Sequence, residues 1–194
     1  MEKFLSLLAL MPSPYSDVIK TKLLRLLYAN FRKSGFVVLF VSSLLTYALW
    51  SSADLDTLLT WYFLITSVTL FRIVDTAIFF RRSRRNEYAL WYRHFAISVL
   101  VSALLWAAVP LLFFTETDLQ TNFFIAFVIL GMTSGAVTTL AADLRLSHIY
   151  LYGLLLPLLY SFWQFDTTIY MVSALMSVLY LPMVSSAARK LHAT

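Results

Sequence analysis

The sequence contains no cysteine. Disulfides, thiolate metal sites and thiol nucleophiles are therefore excluded, while the compartment stays open. Charge is scarce: 13% of the 194 residues are Asp, Glu, Lys or Arg, against roughly 25% in a soluble domain. No glycine-rich phosphate loop is present, no HExxH, and no convincing Ser/His/Asp order. There is no internal repeat. Segments of about ten alternating residues, which a membrane barrel needs, are also missing. These absences leave no catalytic set, and the chain is not expected to be an enzyme.

What is present is apolar surface. Apolar residues make up 60% of the chain, more than one soluble core of this size can hide. Six long apolar stretches cover 35–50, 58–80, 90–114, 122–142, 149–165 and 168–186. Each must be helical, because backbone N–H and C=O groups in hydrocarbon have to pair within their own segment. The expected fold is all-α, a polytopic bundle of six transmembrane helices.

Residues 1–33 precede the first span as a separate cytoplasmic segment. A short apolar run at 4–11 ends at Pro12 and Pro14 and lacks a signal-peptidase site. From Tyr15 to Phe31 the pattern is helical, with Ile19, Leu23, Leu26 and Leu27 on one face and Lys20, Lys22 and Arg25 mostly off it. This predicts an amphipathic juxtamembrane helix lying on the inner leaflet, its basic residues among anionic headgroups.

Charge sets the orientation. The loops 51–57, 115–121 and 166–167 carry Asp54, Asp56, Glu116, Asp118 and Asp166 and no Lys or Arg. Every Lys and Arg except Arg72 lies on the other side. The positive-inside rule makes that side cytoplasmic, and an even number of spans puts both termini there. Trp50, Trp61, Trp91, Tyr92 and Trp163 are placed as interfacial markers. The net charge of +5 is thereby read as membrane topology, not as nucleic-acid binding. The expected partners are the bilayer, a second copy of the chain, and a small hydrophobic or lipid-like ligand.

Arg72 and Asp75 stand three residues apart inside the second span and so share a helix face. Ionisable groups at that depth are costly unless paired or hydrated. They form either a polar switch that rearranges around a ligand or a self-neutralising pair, with Arg72 also able to snorkel. Gly131 and Gly135 make a GxxxG in the fourth span, a small-residue face expected to pack against a neighbouring helix inside the bundle, with a dimer contact as the alternative. Pro110 and Pro157 can kink the third and fifth spans. Trp106, one turn before Pro110, is a candidate wall of any cavity so opened. His94 and His148, at inner ends of spans, are read as interfacial; haem ligation is the alternative. No cofactor or metal is predicted.

A string of features from 23 to 193 resembles a known family. LLRLLYANFRKS precedes the first span, and the second closes in FRIVDTAIFFRRSRR. The third opens WYRHF and continues LLWAAVPLLFF. The fourth carries ILGMTSGAVTTLAA and the fifth YLYGLLLPLLY. In this order the features resemble the N-terminal membrane-associated sensor region of bacterial GGDEF and GGDEF–EAL (cyclic-di-GMP) signalling proteins and related hybrid histidine kinases. The resemblance implies a homodimeric sensor domain, residues 34–187, in the bacterial inner membrane. Residues 188–194 would begin a cytoplasmic linker to an output domain, a diguanylate cyclase, phosphodiesterase or kinase. A small transporter or channel and a haem-binding membrane protein are the rival readings.

Overall fold

The computed structural model describes residues 17–82, 87–115 and 118–193. The apolar run at 4–11, Arg84, Arg85 and Glu116 fall outside the described residues. Six helices follow one another: α1 Asp17–Leu49, α2 Leu55–Arg82, α3 Tyr88–Phe113, α4 Leu119–Thr139, α5 Leu144–Trp163 and α6 Thr168–Ala193. All six are long and apolar enough to cross a membrane, and among the described residues there is no strand. The expected six-helix membrane bundle is the fold.

Short polar turns stop and restart the helices. The carboxylate of Asp54 accepts from the Thr57 amide at 2.9 Å, that of Asp118 from Thr121 at 3.0 Å, and that of Asp143 from Arg145 and Leu146 at 2.9 and 3.1 Å. Each side chain covers N–H groups that a helix start leaves without partners. Within the helices, hydroxyls turn back onto their own backbone: Thr69 onto Ile65, Thr76 onto Arg72, Thr46 onto Ser42. In hydrocarbon a hydroxyl has few other acceptors.

α3 and α5 form the centre. In the most apolar stretch of α3, 56% of residues are buried, against 22% in α6 at the periphery. Around the first turns of α1, Tyr28 stacks on Phe79 at 4.0 Å and meets Phe95 at 5.0 Å and Trp91 edge-on. The start of α1, the end of α6 and the arginines that close α2 share one end of the bundle, here the basic end. The loops bearing Asp54, Asp118 and Asp166 share the other, the acidic end.

Two expectations change. The segment read as a separate helix on the leaflet runs straight into the first span as one 33-residue helix. Its buried face is Leu24, Leu27, Tyr28 and Phe31, whereas Leu26 and Ile19 point outward. The buried face of this segment packs on α2 and α3. Trp61 and Trp91 are also core residues, not markers. Trp61 Nε1 donates to the Leu105 carbonyl at 2.8 Å, and Trp91 Nε1 to Glu87 at 3.2 Å. Trp50 and Trp163 are exposed, as interfacial residues should be.

Candidate functional site

Arg72 lies ten residues before Arg82, about 15 Å of helix axis from the end of α2. It is 92% shielded, with a relative exposure of 8%. Its guanidinium lies 3.8 Å from the centroid of the Phe31 ring and 5.6 Å from that of Phe95, a cation–π arrangement. Its Nε has no hydrogen-bond partner, and no ion pair joins it to Asp75.

Asp75 is occupied elsewhere. The Tyr28 hydroxyl donates to its Oδ2 at 2.9 Å while also lying 3.1 Å from the Trp91 carbonyl. His94 Nδ1 stands 3.7 Å from its Oδ1. Three residues of helix advance separate the two side chains by a modest rotation, and α1 uses that gap. Phe31 sits beneath the cation, and Tyr28, one turn earlier, takes the anion. The self-neutralising pair is therefore not formed.

Arg72 forms part of the floor of a cavity of about 560 Å³ between α1 and α4. Tyr150, Ser102 and Val99 complete the floor, and all are buried. The α1 wall runs from Phe31 and Ser34 through Val37, Val38 and Val41 to Leu44; the α4 wall runs from Phe124 through Gly131 and Gly135 to Thr139. Polar groups gather toward the basic end, at Arg72, Ser34, Thr138 and Thr139. The acidic half is lined by Val41, Leu44, Phe124, Phe127 and Val128. At the polar end Asn30 Nδ2 donates to the Thr139 carbonyl at 3.3 Å, clamping α1 to α4. The mouth opens sideways, past the outward-facing Val37, Leu44 and Phe127.

The two glycines take a different role from the one expected. A Cβ built on Gly131 or Gly135 meets nothing within 4 Å, so neither packs against a helix of this chain. Their missing side chains widen the cavity. The close helix approach belongs to Gly35, whose Cβ would lie 3.2 Å from Ile73 Cγ1 and 3.3 Å from Phe31 Cζ. The opposite side of the fourth-span motif is held by α6. The Tyr180 hydroxyl donates to the Leu130 carbonyl at 3.1 Å and lies 2.6 Å from Ser134 Oγ. A tyrosine amid an apolar span needs a partner for its hydroxyl, and that was the available signal for Tyr180, as for Tyr150.

The remaining candidates lie away from the cavity. Trp106 is fully buried against Trp61, edge to face at 5.5 Å, with its Nε1 unpartnered. Pro110 and Pro157 sit inside α3 and α5, which run on through them. Both ring nitrogens of His148 are engaged: Nδ1 donates to the Leu144 carbonyl, and Nε2 lies 2.8 Å from Ser185 Oγ. His94 faces Asp75, and the two histidines belong to different clusters. His192, which the sequence gave no reason to select, donates from Nδ1 to the Ala141 carbonyl at 2.9 Å.

Comparison with protein-family models, curated proteins and solved structures yields no match for this chain.

Proposed function

We propose that this chain is the membrane-embedded signal-input and dimerisation module of a bacterial signalling protein, of the kind that precedes a diguanylate cyclase, a phosphodiesterase or a histidine kinase. It resides in the inner membrane with its basic end in the cytoplasm and acts as a homodimer. Occupancy of the α1–α4 cavity favours one packing of the helices over another, and α6 carries the difference to a cytoplasmic output domain. A ligand moves such a balance only through its unequal affinity for the two states.

The observation that supports this reading is the link from cavity to exit helix. The wall segment Leu130–Ser134 is bonded to α6 through Tyr180. Near the basic end α6 is bonded again, by Ser185 to His148 and by His192 to Ala141. α6 then continues unbroken to Ala193. A change in the wall thus has a short, hydrogen-bonded path to the last turns of α6.

Because the chain lacks cysteine, single labels can be placed cleanly. In lipid nanodiscs, native mass spectrometry is expected to give a dimer. Spin labels on Lys190→Cys are expected to give a distance between protomers that shifts when Tyr180→Phe is added. A monomer, or a distance indifferent to Tyr180→Phe, overturns the proposal. Substrate uptake by a monomer in proteoliposomes would point to a small transporter instead.

A further inference from the structure

The same cavity carries a statement about its occupant, which deepens the input-module reading and rests on it only for its consequence. We propose that the α1–α4 cavity binds a single-chain amphiphile with a carboxylate head, the head on Arg72 and the chain along α1 and α4 toward the acidic end.

Charge comes first. A guanidinium so far from water is costly without direct hydrogen-bonding partners, and Asp75, the nearest carboxylate in sequence, makes its contacts with Tyr28 and His94 and no ion pair with Arg72. The Phe31 ring offsets only part of this cost. The guanidinium lines the cavity, and its planar fork can receive a carboxylate by two parallel hydrogen bonds. The other polar side chains on the lining are neutral hydroxyls, from Ser34, Ser102, Thr138, Thr139 and Tyr150. That set suits a monoanionic carboxylate better than a phosphodiester with further polar substituents to satisfy.

Shape comes second. From Phe31 to Leu44 the wall advances about 20 Å, with polar groups only at the Arg72 end. A cavity of about 560 Å³ has room for one such chain and its head. The absent side chains of Gly131 and Gly135 are what leave this width, since a Cβ at either would project into empty space. The sideways mouth admits the chain from the bilayer without passage through water.

The test is native mass spectrometry of the protein in a neutral detergent, titrated in parallel with hexadecanoate, hexadecanol and phosphatidylglycerol. Hexadecanoate is expected to bind once per chain. Arg72→Gln, which keeps a polar side chain, is expected to weaken it by about 10- to 100-fold, the value of one hydrogen-bonded charge. Gly131→Leu/Gly135→Leu, which fills the cavity while keeping Arg72, is expected to abolish binding with an unchanged melting temperature. Hexadecanol is expected to bind no better than hexadecanoate does to Arg72→Gln. Equal binding of acid and alcohol, or hexadecanoate affinity indifferent to both variants, overturns the proposal. So does retention of phosphatidylglycerol in place of hexadecanoate. A glycine double variant that breaks a dimer, with no hexadecanoate bound to wild type, assigns the groove to a second copy and overturns it too. If hexadecanoate binds as expected but the Lys190 label distance never moves, the site stands and the input-module reading fails.

Discussion

Gly35 and Gly135 show how one residue type serves opposite ends. At Gly35 the missing side chain lets α1 and α2 approach, with Ile73 and the Phe31 ring against the place a Cβ would take. Gly35→Leu is expected to cost about 1–3 kcal/mol through overpacking, and to displace the ring that supports Arg72. Gly135→Leu is expected to leave the fold unchanged. Thermal unfolding of the two variants in one detergent checks the contrast. The GxxxG motif was legible in the sequence, but its use was not. Spacing reports which residues are small, and only the neighbouring helix decides whether the space is filled. Arg72 and Asp75 were legible as unusual for the same reason that makes them costly. Their separation was not, because their partners Phe31 and Tyr28 come from a segment more than forty positions earlier.

At the scale of the helix, ends are fixed by few atoms. Asn122 is fully buried; it exchanges hydrogen bonds with the backbone of Thr115, at 2.6 and 3.1 Å, and donates to the Tyr170 hydroxyl at 2.6 Å. It joins the α3–α4 turn to α6. Asn122→Ala is expected to destabilise the bundle by about 1–3 kcal/mol, the cost of leaving buried groups unpaired. Unfolding in a denaturing detergent would read this. Asp143 caps α5 and also accepts from the Tyr92 hydroxyl at 2.7 Å. Asp143→Ala should cost about 1 kcal/mol from the cap alone. Hydrogen bonds from the Thr57 and Thr121 hydroxyls and amides hold the carboxyls of Asp54 and Asp118 below their ordinary range. Their contribution to α2 and α4 is therefore complete above a pH of about 4 and lost as the pH falls through the lower, native values. Amide exchange at Thr57 and Thr121, corrected for the intrinsic rate, should quicken there and nowhere higher.

Across the whole molecule, the number of helices and the arrangement of their ends follow from apolar runs and from basic and acidic turns. Which face of each helix turns inward does not. In α4, Ile125 is fully buried and Phe127 is 75% exposed; in α1, Tyr28 is buried while Leu26 faces out. Lipid and protein interior are equally apolar, so hydrophobicity supplies no contrast between them. The same indifference hid the continuity of α1, because the change in composition near Ser34 alters the surroundings and not the helix. The proposed orientation predicts that Asp54→Cys reacts with an impermeant maleimide in intact cells, while Lys190→Cys reacts only after the membrane is opened. The reverse pattern would invert the molecule.

The sideways mouth of the cavity changes what concentration means for this protein. The proposed occupant would enter by diffusion within the leaflet, so its mole fraction among lipids would be the measure of its occupancy. Diluting proteoliposomes of fixed composition should leave the bound fraction unchanged, whereas adding neutral lipid at constant total amphiphile should lower it. Such a protein would read the make-up of the membrane it sits in, and would feel the medium only through what partitions into that membrane.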